Sequence, residues 1–442
     1  MTITDSSDLV IRGGTVVSHD GIAEADVAIA DGRIVAIGAG ADTGQPSFDA
    51  TGLHLLPGVI DSQVHFREPG MDHKEDLASG TAAAALGGVV AVFEMPNTRP
   101  GTVTPADLTD KLARAAGRAW VDHAFYAGAT AENVDGLAEL ESMAGCAGIK
   151  LFMGASTGDL LVSEDRDIAR VLAAGRRRMA IHAEDEPRLQ ERRHLAQGRV
   201  HAHAEWRDAI SALTATERLV RLARAARRRI HVLHITTAEE VAFLAAHKDI
   251  ATVEVTPQHL TLAAPEAYDR LGTFAQMNPP IRDAHHRAAL WQGVQSGLFD
   301  VVGSDHAPHT REEKAADYPN SPSGMPGVQT LLPLLLDHCQ AGRLTLQRLV
   351  DLTSGGAARI FGLAAKGRLA VGYDGDVTLV DLKRKQVIEG SWLASKCGWS
   401  PFEGETVHGW PVATVLRGRV IMREGELIGT PCGQPVRFQE TL

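Results

Sequence analysis

Cysteine, basic charge and long apolar runs are all scarce in this chain of 442 residues. The four cysteines (Cys146, Cys339, Cys397, Cys432) have no CxxC spacing, which argues against a disulfide framework or a zinc knuckle. A net charge of −11 argues against non-specific nucleic-acid binding. No uninterrupted apolar run could span a bilayer, and the N-terminus shows no secretory signal pattern. We therefore expect a cytoplasmic protein with no nucleic-acid or membrane partner.

What is present fits a globular protein with one large domain and one smaller domain, because 44% of the residues are hydrophobic and charges of both signs are mixed. Short strand-like runs such as LVIRGGTVV, ADVAIA and RIVAIG occupy the first fifty or so residues, and DVTLVDL and TVLRGRVIM repeat that texture near the end. This predicts one small β-sandwich domain built from residues 1–56 and 366–442. Loop-rich termini that merely cap the other domain are the alternative.

The middle of the chain, residues 57–365, alternates between apolar strand-like runs and helical stretches rich in alanine and leucine. Eight such βα repeats predict an α/β fold, a closed (β/α)8 TIM-like barrel. An open doubly wound sheet would also alternate. However, no Gly-x-Gly-x-x-Gly turn follows the first strand, so a dinucleotide-binding version of that fold is disfavoured.

The most informative motif is LLPGVIDSQVHFREPG, residues 55–70, where a core strand ends in polar residues. Ionisable groups at the end of a buried strand are costly unless they bind something. His65 can ligate a metal there, and Arg67 can bind an anion through two parallel hydrogen bonds. The motif therefore predicts a site that combines a metal ion with a negatively charged ligand.

Four more strand-like runs also end in, or contain, an ionisable residue. With His65 the set is Lys150, His182, His234 and Asp305. One histidine among nineteen is more often an ordinary core or surface group than a ligand. Five residues at matching strand ends are different, because barrel active sites are assembled from that carboxyl-terminal rim. Imidazoles and carboxylates suit zinc or a similar divalent ion, so we expect a metal-dependent enzyme.

These motifs resemble those of the dihydroorotase family, in the cyclic amidohydrolase branch of the amidohydrolase superfamily. The arginine form HFREPG carries much of the likeness, and MPNT, GIKLFMG, HVLHITT, EVTPQHL, MNPPIRD and SDHAPH support it. The resemblance runs from Pro57 to about Gly362, and in outline through the flanking β-segments. One position departs from the family pattern of His-x-His, because this chain has Gln63-Val64-His65.

The resemblance implies one or two zinc or similar divalent ions per chain. Their ligands would be His65, Lys150, His182, His234 and Asp305, with Gln63 placed to approach the first ion. Lys150 corresponds to a lysine that takes up carbon dioxide and bridges two ions as a carbamate; a lysine that merely snorkels from its strand is the alternative. Asp305 corresponds to the catalytic aspartate that shuttles a proton. Because a carboxamide oxygen is a weaker ligand than imidazole, we expect the first ion to be held less firmly.

The same resemblance implies how a substrate would be bound. Arg67, Asn97 and His309 would surround a substrate carboxylate, and Asn278 would touch the ring. Loop capping and turn formation are the alternative roles for such residues. Other histidines are not expected to bind the metal. His231 should point away from His234 on a strand, His201 and His203 follow no strand end, and His285 and His286, before Arg287, have the pattern of a solvated helix start.

The leading hypothesis is a dihydroorotase of pyrimidine biosynthesis, which interconverts (S)-dihydroorotate and N-carbamoyl-L-aspartate. The first alternative is another cyclic ureide hydrolase, such as an allantoinase or a hydantoinase, and Arg67 with Asn97 separates the two readings. The second is a catalytically silent dihydroorotase-like scaffold for an aspartate transcarbamoylase. That alternative is weaker because only Gln63 departs from the ligand pattern. The resemblance also suggests a homodimer.

Overall fold

The chain folds into two β-sheets, with most of its helices packed around one of them. The structure is a computed structural model that describes residues 9–18, 21–41, 46–156 and 160–441. The strands are β1 (Leu9–Val17), β2 (Ile22–Ala30), β3 (Arg33–Gly38), β4 (Ser47–Asp49), β5 (His54–Pro57), β6 (Val59–Val64), β7 (Val89–Glu94), β8 (Asp122–Gly128), β9 (Cys146–Phe152), β10 (Met179–His182), β11 (Ile230–Val232), β12 (Ala251–Val255), β13 (Val301–Val302), β14 (Val377–Val387), β15 (Thr406–Leu416), β16 (Arg419–Arg423) and β17 (Glu426–Leu427).

The helices lie mostly between the strands of the middle region. They are α1 (Leu77–Leu86), α2 (Pro105–Ala115), α3 (Leu137–Ser142), α4 (Asp165–Ala173), α5 (Glu186–Arg192), α6 (Ala202–Trp206), α7 (Ala209–Ala226), α8 (Ala238–Ala245), α9 (Pro257–Thr261), α10 (Glu266–Leu271), α11 (Ala284–Ser296), α12 (Arg311–Lys314), α13 (Leu331–Gln340), α14 (Leu346–Val350) and α15 (Gly356–Phe361). In the described ranges, no helix is long and apolar enough to cross a lipid bilayer.

Strands β6 to β13 form a parallel barrel in chain order, each hydrogen-bonded to the next. Every residue of these eight strands is buried, as expected where both faces of a sheet are covered. The barrel nearly closes between its first and last strands. There the main-chain N–H of His65 donates to His306 O at 2.7 Å, and Ser304 N–H donates to Asp61 Oδ1 at 2.9 Å.

Polar residues fix where several helices begin. Asp76 caps α1 and Thr104 caps α2, each by accepting a hydrogen bond from a backbone N–H of the first turn, and Pro105 opens α2. Asp208 and Asp283 cap α7 and α11 in the same way. Such caps satisfy N–H groups that have no partner inside the helix, and the local sequence therefore sets each helix start.

The second sheet has nine strands in the order β17-β16-β15-β14-β5-β1-β2-β3, with β4 beside β1. It is mainly antiparallel, although β1 pairs in parallel with β4 and β5. Strand β5 from the N-terminal part lies against β14 from the C-terminal part. Its core is a separate cluster of buried aliphatic residues that includes Leu9, Val27 and Leu379.

This architecture confirms the predicted barrel together with a β-structure made by both ends of the chain. The hydrogen-bonded path through that second structure is one continuous sheet. The predicted boundaries at 56/57 and 365/366 stay predictions. Within the predicted terminal domain, residues 1–8, 19–20, 42–45 and 442 lie outside the described part of the chain.

Candidate active site

A cavity of about 360 Å³ opens at the carboxyl ends of the barrel strands. Of the ten residues predicted for the site, nine line it: Gln63, His65, Arg67, Asn97, Lys150, His182, His234, Asn278 and Asp305. Phe152, Ser156, Ala307, Ser323 and Gly324 complete the lining among the described residues. The tenth predicted residue, His309, lies behind the wall, in contact with Arg67. The barrel thus brings together residues separated by up to about 240 positions in the chain.

Three of the lining residues have backbone conformations that side chains rarely adopt. The φ angles of Arg67, His234 and Asp305 are 66°, 38° and 45°, in the left-handed region. Such a conformation costs on the order of 1 kcal/mol or more for a residue other than glycine, and it persists where the surrounding structure fixes it. All three follow the end of a strand, so the bend aims each side chain at the cavity.

The first imidazole of the site is tied to a carboxylate. His65 Nε2 lies 3.1 Å from Asp305 Oδ1, and His65 Nδ1 lies 2.8 Å from Asn97 Oδ1. Gln63 Nε2 donates to the same Asp305 oxygen at 3.1 Å. The Gln63 carbonyl oxygen is buried and has no hydrogen-bond partner in the described structure. Gln63 therefore donates its amide N–H to Asp305, and the lone pairs of its carbonyl oxygen remain available to a metal ion or a hydrogen-bond donor.

The other two imidazoles that line the cavity, those of His182 and His234, form a pair. His182 Nδ1 lies 3.0 Å from His234 Nε2, and the two rings meet edge to face. His182 Nε2 and His234 Nδ1 are buried without a hydrogen-bond partner among the described residues, although Glu184 Oε2 is 3.0 Å from His182 Nε2. Burial lowers the pKa of His65 and His182 and lowers that of His234 well below its usual range. Neutral imidazoles carry the lone pairs that a metal ion needs.

Lys150 stands between these groups, and its ammonium nitrogen lies 4.4 Å from the centre of the Phe152 ring. The side chain is 1% exposed, and within the described ranges it forms no hydrogen bond or ion pair. Burial lowers the pKa of Lys150 to about 7, against the opposing charges of Asp305 and Glu254. A buried amine without a partner is unusual unless it reacts or binds.

The residues fit a metal centre, but only if Lys150 takes part. Over the described chain, no group of three or more His, Cys, Asp or Glu side chains is arranged to hold an ion. There are two pairs of such side chains: His65 with Asp305, and His182 with His234. Both pairs line the cavity that Lys150 also lines. The imidazole nitrogens of His182 and His234 and the Gln63 oxygen that have no hydrogen-bond partner can donate lone pairs to a metal ion. These residues lack an anionic group that could bridge two ions.

Arg67 is a buried guanidinium that faces the cavity without a counter-ion. It is 1% exposed, and no carboxylate of the described chain lies within 4 Å of it. Its Nε donates to Pro308 O at 3.1 Å. Burial lowers the pKa of Arg67 to about 10, so the group stays charged at neutral pH. An uncompensated buried cation is a strong signal for an anionic ligand.

His309 leaves the guanidinium available. Burial lowers the pKa of His309 to about 3, so its ring is neutral. Its Nδ1 lies 3.1 Å from the Lys74 ammonium and its Nε2 lies 3.0 Å from Ser323 O. The tautomer that satisfies both has Nδ1 accepting and Nε2–H donating. In that tautomer Nε2 cannot accept from Arg67 Nη2, which is 3.2 Å away.

Asn278 is held by a histidine that sequence reasoning set aside. His203 Nε2 lies 2.9 Å from Asn278 Oδ1 and 3.0 Å from Met277 O, so this nitrogen carries the proton and donates to both. His203 is fully buried in α6. No local pattern could have shown this contact, because the two residues meet only through tertiary packing. His201, by contrast, pairs with Asp269 at 2.8 Å, outside the cavity.

We expect His203→Ala to lower kcat/KM about 10-fold, since a hydrogen bond to Asn278 worth roughly 1 to 1.5 kcal/mol is lost. His203→Gln, which keeps an N–H donor, should recover part of the loss. Steady-state kinetics on both variants, with thermal denaturation as the control for folding, check this. Equal kcat/KM in His203→Ala and the unmodified protein would show that Asn278 needs no such support.

Two buried carboxylates beside the site were also missed. Glu184 follows His182 and is bound by Arg207, which holds the pKa of Glu184 well below its usual range despite burial. Glu254 accepts hydrogen bonds from Ser62 Oγ and His234 N, and burial raises its pKa to about 8. Glu184 lies two residues beyond the end of β10, so strand alternation does not reach it and no sequence spacing could have revealed it.

His231 is absent from the described lining of the cavity, but the reasoning from strand alternation does not hold. Its Nδ1 lies 2.9 Å from Thr252 Oγ1 and its Nε2 lies 3.5 Å from Glu254 Oε2, which places the ring inside the barrel. Strand β11 ends at Val232 and His234 has the left-handed φ, so the alternation does not extend from one histidine to the other. His285 and His286 begin α11 and do not line the cavity.

Comparison with known proteins places this arrangement in a family. The model described as "Amidohydrolase family" matches residues 54–421. This chain belongs to the amidohydrolase family. A second model, the N-terminal domain of the urease alpha subunit, matches residues 1–51, a range that contains strands β1 to β4. Membership of the amidohydrolase family implies dependence on a divalent metal ion, which agrees with the donors that surround the cavity.

Individual relatives cover nearly the whole chain. A dihydroorotase of Halobacterium salinarum is 40% identical over 417 residues, covering 93% of this chain and 96% of that protein. An allantoinase of Rubrobacter xylanophilus is 36% identical over 447 residues and 98% of both chains. Among solved structures, the L-hydantoinase (dihydropyrimidinase) of Arthrobacter aurescens superposes with a TM-score of 0.91 at 30% identity, covering 97% of this chain and 99% of that one.

Proposed function

We propose that this amidohydrolase is a dihydroorotase, a cyclic amide hydrolase that interconverts (S)-dihydroorotate and N-carbamoyl-L-aspartate. One observation carries the proposal: the buried guanidinium of Arg67, without a carboxylate partner in the described chain, lines the same cavity as the three imidazoles and Asp305. Dihydroorotate carries a carboxylate next to its ring amide, so one group can bind Arg67 while the other lies near Asp305. An uncharged ring would leave the arginine unpaired.

The alternative is an allantoinase or hydantoinase activity. Its support is the 36% identity to an allantoinase and the close superposition on an L-hydantoinase. Overall identity does not separate these activities, since the dihydroorotase relative is only slightly closer at 40%. We favour the charged substrate because Arg67 is buried, and a buried polar group left unpaired costs more than a missing contact.

We propose that zinc or a similar divalent ion occupies two positions. Gln63, His65 and Asp305 would hold the first ion, His182 and His234 the second, and a carboxylated Lys150 would bridge them. When bound, such ions acidify a water molecule and polarise the ring carbonyl. Asp305 is placed to take a proton from the attacking water and pass it to the leaving ring nitrogen. Gln63 and His65 keep the Asp305 carboxylate oriented for that transfer.

The proposed bridge requires a neutral amine that reacts with carbon dioxide, and burial at Lys150 favours that form. In this reaction the amine nitrogen forms a bond to carbon, a proton leaves, and the product is an anionic carbamate with two oxygens. An anion between two cations is then stabilised where an ammonium would be repelled. Zinc as the native ion, a cytoplasmic homodimer and a transcarbamoylase partner stay predictions from the family resemblance.

Gln63→His is expected to make the first ion harder to remove. A neutral imidazole binds zinc more strongly than a carboxamide oxygen, and the buried Gln63 carbonyl oxygen has no hydrogen-bond partner in the described structure. Metal content per chain after mild dialysis against a chelator should rise in Gln63→His and fall in Gln63→Ala. If the unmodified protein keeps two full equivalents after that dialysis, the site is not weakened and this prediction is wrong.

The experiment for the proposed function is a substrate panel on metal-replete protein. Dihydroorotate, allantoin and hydantoin are compared by kcat/KM, and bound metal is counted in the same preparation. We expect turnover of dihydroorotate and little of the others. Preference for allantoin or hydantoin would establish the alternative. No turnover of any substrate with no metal bound would favour the silent scaffold.

A further inference from the structure

A second cavity lies at the opposite end of the barrel, where the strands begin. Its volume is about 540 Å³, and its lining includes Arg177, Arg178, Arg229, Arg359 and Glu440. We call these five residues the basal arginine pocket. Ala147 of β9 also lines it, Arg178 directly precedes β10 and Arg229 directly precedes β11. The pocket therefore lies at the amino ends of the strands whose other ends carry Lys150, His182 and His234.

Arg178 is held in place by the backbone alone. Its Nε donates to Ile360 O at 3.2 Å and its Nη1 donates to Ile230 O at 2.9 Å. Across the described residues, no carboxylate lies within 4 Å of this guanidinium. Burial and the neighbouring Arg229 lower the pKa of Arg178 to about 10, so it remains a cation. A half-buried cation fixed without a counter-ion calls for an anion from outside the chain.

Among the described residues, Glu440 is the single acidic side chain that lines the pocket. Glu440 lies 3.5 Å from Arg177 Nε and 3.5 Å from Arg229 Nη2, and its side chain is 40% exposed. The pair with Arg229 is exposed on both sides and contributes little at this distance, and one carboxylate shared by two guanidinium groups cannot neutralise both. Arg359 points its Nη1 at Asp351, 3.1 Å away, and Asp351 also accepts from Arg348. The pocket thus keeps a positive excess although the whole chain carries a net charge of −11.

We propose that the basal arginine pocket binds a dianionic phosphate group, either free phosphate or the head of a small phosphate monoester. Guanidinium groups present paired N–H donors that match phosphate oxygens, and two charges on one ligand balance the local excess. The mouth admits a small ligand, because Arg229 and Arg359 are half exposed. The site is separate from the catalytic cavity and does not depend on which cyclic amide is hydrolysed.

Isothermal titration calorimetry on the metal-replete protein tests this, with inorganic phosphate and ribose 5-phosphate as the two probes at constant ionic strength. We expect saturable binding of at least one probe. Arg229→Gln should weaken it about 5-fold, while Glu440→Gln should tighten it because a competing carboxylate is removed. Both side chains are half exposed, so neither change threatens folding. Arg224→Gln, which breaks the exposed pair with Asp249, is the matched control and should change nothing.

Each result of these titrations either supports or overturns phosphate binding at the basal arginine pocket. Binding of both probes identifies the phosphate group alone as the ligand, and binding of only the monoester assigns the site to a phosphorylated metabolite. No saturable heat with either probe overturns the proposal. Binding that is unchanged in both Arg229→Gln and Glu440→Gln also overturns it, because the anion would then sit elsewhere, for instance among the metal ligands.

Discussion

Lys150→Ala is expected to lose its bound metal and to lower kcat/KM by on the order of 10³-fold, or about 4 kcal/mol of transition-state stabilisation. The reason is geometric. His65 with Asp305 and His182 with His234 are two incomplete ligand pairs, and Lys150 is the buried group that lines the cavity with both. On the proposed arrangement, removing its amine removes the group that would bridge the two pairs. Metal content and steady-state kinetics measure the two losses together.

The controls separate the bridging role from general damage. Lys248→Ala removes a partly exposed lysine paired with Asp300 and should keep both metal and activity. Adding short-chain carboxylates with metal to Lys150→Ala should restore part of both. In the unmodified protein, ¹³C-bicarbonate should give a carbamate resonance that Lys150→Ala lacks. A Lys150→Ala variant that retains full metal and full activity would contradict the bridging role.

The second large effect is expected at Arg67. Arg67→Met should lower kcat/KM for dihydroorotate by about 30- to 150-fold, which corresponds to the roughly 2–3 kcal/mol of a lost charged hydrogen bond. Methionine has a similar length and is apolar, so it suits the buried position. The loss should be confined to substrates with a carboxylate. Kinetics with dihydroorotate and with dihydrouracil, the same ring without that group, make the distinction.

For Arg67 the control variant is Arg384→Met, which removes an exposed arginine paired with Glu424 on the terminal sheet. It should leave both substrates unaffected. Arg67→Lys keeps the charge but not the planar pair of donors, and we expect an intermediate loss. An equal fall for dihydroorotate and dihydrouracil in Arg67→Met would mean that the arginine supports the fold of the site and does not read the carboxylate.

The sequence alone predicts the barrel and most of the cavity lining, for a physical reason. In a parallel barrel, strand ends converge wherever they occur in the chain, so His65, Lys150, His182, His234 and Asp305 could be brought together without knowledge of any distance. The apolar runs before these residues predict where the strands lie, and the ends of the strands predict which residues form the rim of the barrel. Side chains that point from strand ends are therefore the predictable part.

The supporting contacts were not predictable, because they depend on tertiary packing. His203 reaches Asn278 from a short helix 75 positions earlier in the chain. Arg207 comes from the turn after the same helix to bind Glu184. His309, which we predict to lie beside the substrate carboxylate, contacts Arg67, and its neutral ring is held by Lys74 and Ser323. Such contacts carry no periodicity or spacing that a sequence pattern could show.

Selection of a cyclic amide substrate by its carboxylate can be measured directly. The measurement is the ratio of kcat/KM for dihydroorotate over dihydrouracil in the unmodified, metal-replete protein. The two substrates share the ring and the bond that is broken, so the ratio isolates the carboxylate. We expect about 100-fold or more in favour of dihydroorotate, because a buried polar site rejects an analogue that lacks the matching group. Equal values of kcat/KM, or a preference for dihydrouracil, would show that the enzyme does not select its substrate by a carboxylate.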